Sequence, residues 1–231
     1  MDPKPRILTV LDIVTIVLFI IAAGLVFLYA PMEAVMGQVQ RVFYFHVANA
    51  WVGMLGFLVA AIAGVAYLRT SDRKWDIVGL AAVEISFVFF FIAIISGSIW
   101  ARGSWGTWWT WDPRLTTAAI VELVYAAYFM LRQGVEDSDR RARYGAIYAS
   151  LSFISVPITF ISIRILRTIH PVLFGGDSAG TGTFDMTSKM LVTFMFALLT
   201  FSFIFADLLW HRIRLGKLAE KTENLRLKLL Q

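Results

Sequence analysis

The chain has 231 residues, 58% of them hydrophobic and 16% charged, against a charged share of roughly 25% in soluble domains. That balance excludes a single water-soluble globule and is enough for several membrane spans of about 20 mostly apolar residues each. Cysteine is absent, which removes disulfides, thiolate metal sites and thiol exchange; a bound metal would depend on His, carboxylate, Met or a backbone carbonyl.

Six apolar runs predict an all-α integral membrane protein with six transmembrane helices, at about 9–30, 41–68, 77–100, 114–132, 144–167 and 188–210. The first run carries no small-residue cleavage site, so it is expected to stay as a helix rather than be removed as a signal peptide. No Gly-rich or Pro-rich linker divides the chain, so residues 1–231 read as one membrane domain. Charge gathers in the connections: Arg69 to Lys74, Arg132 to Arg143, and a basic, Leu-spaced tail at 211–231. With the N-terminus in the cytoplasm, fifteen of the 21 Lys and Arg fall inside, and six remain outside: Arg41, Arg102, Arg114, Arg164, Arg167 and Lys189. The positive-inside bias therefore puts both termini in the cytoplasm. The net charge of +5 is then largely topological and gives no support to nucleic-acid binding. Three segments face outward in this topology: a short loop near 30–40, a Trp-rich stretch at 100–113 and a longer loop at 168–187. Within the last, Gly175 to Gly182 looks like a phosphate loop but lacks the Lys-Ser/Thr ending and a preceding strand, so it reads as a plain loop.

Five of the eight tryptophans lie between Trp100 and Trp111, four of them within Trp105 to Trp111. An interfacial aromatic belt needs only one or two rings per helix end. If the stretch were helical, Trp105, Trp108, Trp109 and Asp112 would share a face by their i, i+3, i+4, i+7 spacing and form an aromatic shelf for a flat apolar ligand. Asp112-Pro113 has the residue types of an N-cap and first helical position, and so starts the fourth span.

The three histidines differ in setting. His211 lies among Arg212 and Arg214 at the cytoplasmic end of the sixth span and reads as a surface residue. His46 lies near the outer end of the second span, and His170 ends the fifth, where Pro171 stops the helix. Two imidazoles at the depth of the Trp stretch, with no thiolate, fit a porphyrin iron with two axial nitrogens. Helix-end snorkelling accounts for any one outer cation, yet Arg41, Arg102, Arg114 and Arg167 flank the His and Trp segments and as a set suit the propionates of a haem. Glu84 and Glu122 lie within spans, where an ionised group faces the bundle interior; a proton path or an inter-helix hydrogen bond would account for either, and a structural role is the simpler one.

The run Trp105-Gly-Thr-Trp-Trp-Thr-Trp-Asp-Pro-Arg-Leu-Thr116 closely resembles the "WWD" signature of the haem-handling family of c-type cytochrome maturation. With six spans and one pair of outer histidines, the layout looks like the short, haem exporter C (CcmC) branch of that family, and the likeness covers essentially the whole chain. The resemblance implies that His46 and His170 ligate the iron of haem b (iron protoporphyrin IX), with Trp105, Trp108, Trp109, Trp111 and Asp112 as the platform. It also implies presentation of haem, at the outer face of the bacterial inner membrane, to a periplasmic haem chaperone (CcmE) that captures it through a vinyl group. A small membrane subunit (CcmD) and an ATP-hydrolysing ABC transporter pair (CcmA, CcmB) would assemble with it, and the chain itself would not be an enzyme. A b-type electron-transfer subunit is the alternative that also holds haem between histidines. A secondary transporter coupled through Glu84 and Glu122 would leave the Trp stretch without a purpose.

Overall fold

The structure, a computed structural model, describes residues 3–34, 36–171 and 186–229. Its helices are α1 (Arg6–Gly24), prolonged by a π-helical turn at Leu25–Tyr29, α2 (Gln40–Thr70), α3 (Arg73–Trp105), α4 (Pro113–Gln133), α5 (Ser138–Ser152), α6 (Ser155–Ile165) and α7 (Ser188–Leu229). Six stretches are long and apolar enough to cross a membrane: 6–29, 40–70, 73–105, 113–133, 138–165 and 188–226. The chain is a multi-pass membrane protein, an all-α bundle among the described residues. Helices suit that solvent because each satisfies its own backbone hydrogen bonds where water cannot. The Gly175 to Gly182 loop lies outside the described residues.

Three aspartates set where helices begin. Asp72 accepts from Lys74 N–H at 2.9 Å, Asp112 from Leu115 N–H at 3.0 Å, and Asp137 from Arg140 N–H at 2.8 Å, each occupying one donor that a helix start leaves unpaired. The fifth span departs from the continuous helix expected over 144–167. It starts at Ser138 and breaks at Phe153–Ile154 into α5 and α6. Pro157 has no N–H to give, and its ring crowds the carbonyl four residues back, at Phe153. The last helix does not stop near 210 but runs on to Leu229 through the basic tail.

Small residues let the central helices approach closely. A Cβ on Gly53 would lie 2.8 Å from Phe90 Cβ, and one on Gly64 would lie 2.7 Å from the Ala146 carbonyl oxygen. These contacts seat α2 against α3 and α5. Two apolar clusters follow, one built on Phe43, Tyr44, Val52, Phe194 and Phe201, the other on Phe57, Phe90, Val121 and Tyr125. In the second, Tyr125 stacks on Phe57 with ring centroids 3.6 Å apart. α1 packs on α7, and α6 packs chiefly on α4.

The charged end of the bundle is knitted by ion pairs. Arg132 of α4 holds Asp76 of α3 at 2.6 Å with both side chains largely buried, and Arg212 of α7 holds Glu84 of α3 at 2.6 Å. Glu84 therefore has a structural partner. His211 is not the simple surface residue its neighbours suggested: its Nε2 lies 2.8 Å from Asp12 and 3.7 Å from Asp207, joining α7 to α1. Glu122 is 8% exposed, and neither carboxylate oxygen has a hydrogen-bond partner among the described residues. Of the two accounts open for it, a proton path or an inter-helix hydrogen bond, the second is not made among the described residues.

Gly64→Val should destabilise the protein by on the order of 1–3 kcal/mol, because the added atoms meet the Ala146 carbonyl of the backbone as well as the Ser150 hydroxyl. Gly24→Ala, with open space around the new Cβ, should leave the thermal unfolding midpoint in detergent unchanged or slightly raised. Equal midpoints for the two variants would rule out the close α2–α5 approach.

Candidate ligand-binding site between two histidines

His46 projects from the first turns of α2 onto α3. Its Nδ1 lies 2.8 Å from the Ala93 carbonyl oxygen. A carbonyl can only accept, so Nδ1 carries the hydrogen and the lone pair is left on Nε2. One turn further along α3, Gly97 gives the ring its space: a Cβ there would lie 2.7 Å from His46 Cε1 and 3.0 Å from Nδ1. Carbonyl 93 and bare backbone 97 thus share one helix face and clamp the imidazole between them.

His170 lies beyond the end of α6, in non-helical chain. Its Nδ1 is 3.0 Å from the Pro171 carbonyl oxygen, so again the donor is Nδ1 and Nε2 is left to bind. Burial lowers the His170 pKa to about 3, helped by the positive charge of Arg114 and by His46. The ring is therefore neutral at physiological pH, the form that ligates metals. Trp105 meets it edge-on at a centroid distance of 6.3 Å.

Both histidines line one cavity of about 340 Å³, within the range of roughly 300–1,000 Å³ usual for small-molecule and cofactor pockets. Its walls are apolar: Val47, Trp51 and Met54 from α2, Phe90 and Ile94 from α3, Leu115 and Ala118 from α4, Phe160 and Ile163 from α6, Phe194 and Leu198 from α7. Trp100, Trp105 and Trp109 add aromatic surface, while Arg114 and Arg164 add positive charge.

The Trp segment is not a continuous helical shelf. α3 ends at Trp105 because Gly106 adopts the left-handed conformation, with φ of 72°, and residues 107–112 are not helical. Trp105, Trp108, Trp109 and Asp112 consequently do not share a face. Instead the loop sorts its rings by side. Trp105 and Trp109 line the cavity together with buried Trp100, which meets Trp105 edge-on at 5.4 Å. Trp108 and Trp111 are 58% and 78% exposed and lie outside it.

The cations sort in the same way. Of Arg41, Arg102, Arg114 and Arg167, only Arg114 lines the cavity. It donates to the Thr159 carbonyl of α6 and lies over the Phe160 ring at 4.8 Å. Arg41 lies over Phe27 at 5.6 Å, and Arg102 donates to the Gly106 carbonyl, closing the end of its own helix. Arg164 lines the cavity although the pattern of flanking cations did not select it. Gly97 had no signal at all, since a glycine in an apolar span looks like any other packing glycine. Asp112 caps α4 as its sequence position suggested, does not line the cavity, and also accepts from the Thr168 hydroxyl and from Ile169 N–H at 3.1 Å.

The arrangement offers two imidazoles, each with Nδ1 donating to a carbonyl, apolar and aromatic walls, and two guanidinium groups. That donor set fits a flat apolar macrocycle with a metal at its centre and anionic groups at its edge. The comparisons with known proteins point the same way. Over 183 residues the chain is 31% identical to Heme exporter protein C of Bradyrhizobium diazoefficiens, covering 78% of this chain and 67% of that protein. It is 30% identical over 142 residues to Heme exporter protein C of Escherichia coli, covering 62% and 58%. It is 32% identical over 133 residues to Heme exporter protein C of Rhodobacter capsulatus, covering 54% and 55%. The matched stretch thus spans two thirds of the first relative and just over half of the other two. The family model for Heme exporter protein C matches residues 2–228. On that match the chain belongs to the haem exporter protein C (CcmC) family, whose members are non-catalytic membrane proteins that handle haem during c-type cytochrome maturation.

Proposed function

We propose that this chain binds haem b (iron protoporphyrin IX) in the cavity between α2, α3, α4, α6 and α7 and presents it to a periplasmic chaperone. The observation that carries this reading is the convergence of His46 and His170 on one apolar cavity, each imidazole held through Nδ1 so that Nε2 is the open ligand. A second hydrogen bond of this kind fixes ring orientation and raises ligand basicity. Haem is cargo here: it supplies an iron that takes two nitrogens and an apolar ring that the walls shield from water.

The division of the Trp segment supports presentation rather than storage. Trp105 and Trp109 flank the cavity, whereas Trp108 and Trp111 offer exposed aromatic surface beside it, suited to docking a partner. The charge bias along the chain favours placing this end of the bundle at the periplasmic face of the bacterial inner membrane, with both termini in the cytoplasm. The partners are those of the family: the haem chaperone CcmE, the small subunit CcmD, and the transporter pair CcmA and CcmB, whose ATP hydrolysis drives release. Of the cations, Arg114 and Arg164 are the propionate partners on this reading, because they line the cavity and Arg41, Arg102 and Arg167 do not.

The test is the absorption spectrum of the purified protein. His46→Ala and His170→Ala should each lose the six-coordinate, bis-histidine spectrum and retain less haem than the parent. Full haem with an unchanged spectrum in both variants would remove the ligand assignment. Gly97→Val should behave like His46→Ala, since its side chain takes the space of the ring.

The two kinds of tryptophan should separate by measurement. Trp105→Ala and Trp109→Ala should lower haem retention. Trp108→Ala combined with Trp111→Ala should keep haem but reduce loading of CcmE several-fold. Uniform haem loss across all four would contradict the sorting of the rings.

A further inference from the structure

Asp112 holds two separate parts of the site at once. Its Oδ1 accepts from Leu115 N–H at 3.0 Å and caps α4. Its Oδ2 faces the other way and accepts both the Thr168 hydroxyl and, at 3.1 Å, the Ile169 N–H. The same Thr168 oxygen accepts the His170 N–H at 3.1 Å. The carboxylate of residue 112 thus reaches, through one hydroxyl, the backbone of the histidine that would bind iron.

A helix cap alone does not account for this. Capping needs one acceptor oxygen, and Ser, Thr or Asn supply it about as well as Asp. The second oxygen, with two donors from a distant segment, is what only a carboxylate can provide here: Asn would present an N–H₂ that cannot accept from Ile169 N–H. Charge-assisted bonds to a carboxylate are also roughly twice as strong as neutral ones. Residues 167–171 belong to no helix, and among the described residues they make no backbone–backbone hydrogen bond.

The two histidines are therefore held by unlike means. His46 stands on a long helix and is clamped by a carbonyl and a glycine of its neighbour. His170 stands on irregular chain whose register is set by Asp112. We propose that Asp112 is the positioning residue for His170, so that its carboxylate decides how firmly the second ligand is held and makes His170 the ligand that releases first. The place of Asp112 directly after exposed Trp111 puts this hold within reach of anything that docks on the Trp segment. The inference rests on His170 being a haem ligand.

The discriminating variant is Asp112→Ser, which keeps an N-cap oxygen for α4 and loses the second acceptor. Thr168→Val removes the same connection from the other side and leaves Asp112 untouched. Hydrogen exchange on the haem-free protein reads the segment itself, and haem transfer to an excess of apomyoglobin reads the hold on the ligand. Asp112→Ser and Thr168→Val should both speed exchange of residues 168–171, leave exchange within 115–133 unchanged, and raise the rate of haem loss by about ten-fold with a part-conversion to a five-coordinate spectrum. Asp112→Glu, which restores a carboxylate, should recover part of the spectrum. If Asp112→Ser matches the parent in both exchange and haem loss, Asp112 is a helix cap only and the inference is overturned. Faster exchange with an unchanged spectrum and rate overturns it too, because the segment would then be held without consequence for the ligand. Should His170→Ala itself leave the spectrum unchanged, the reading of the site fails first, and that outcome is visible independently of either Asp112 variant.

Discussion

The close approach of α2 to α3 is the constraint from which the site is built. Gly53 meets Phe90 where a Cβ would not fit, and further along the same seam Gly97 makes room for His46. In lipid the hydrophobic effect gives no preference for helix over lipid as a neighbour, so such steric fit, with a few hydrogen bonds, has to hold helices together. The seam does more than hold. It brings the Ala93 carbonyl against an imidazole nitrogen, and that single contact fixes which nitrogen keeps its hydrogen and which faces the cavity. A residue as plain as Gly97 is therefore as specific to the site as the histidine it accommodates.

Electrostatics in the bundle divides along the same axis. At one end, Asp76–Arg132 and Glu84–Arg212 balance their charges in ion pairs between helices. At the other end, Arg114 lines the cavity, donating to the Thr159 carbonyl and lying over the Phe160 ring. Such a group keeps its positive charge directed at whatever the cavity takes up. Second to burial, the same charge lowers the His170 pKa.

Much of the architecture was legible in the sequence because membrane spans are written in a period-free code: long apolar runs separated by charge. The cap at Asp112 was read from residue type; those at Asp72 and Asp137 use the same residue type but were not singled out, and Pro157 gives a reason for the break in the fifth span that the apolar run around it masks. The site was legible only in part. His46, His170, Trp105, Trp109 and Arg114 do meet at one cavity. The spacing of the tryptophans suggested one helical face, but Gly106 ends the helix before that spacing can act, so Trp108 and Trp111 turn outward. Flanking position was a poor guide to cations: Arg164, still within α6, lines the cavity, whereas Arg167, beyond the end of that helix, does not. The Asp112 contact to residues 168–169 spans 56–57 positions and has no local signature.

The packing of α6 carries a mechanical implication. α6 leans chiefly on α4, while α2, α3 and α7 form their own tightly fitted group. One wall of the cavity, with the chain leading to His170, thus stands on α4 and α6, and the facing wall with His46 stands on α2, α3 and α7. A molecule ligated from both sides would tie these two groups of helices together and stiffen the bundle around the cavity. Loaded and empty forms would differ in stiffness before they differ in shape, which gives a partner a physical means of telling them apart.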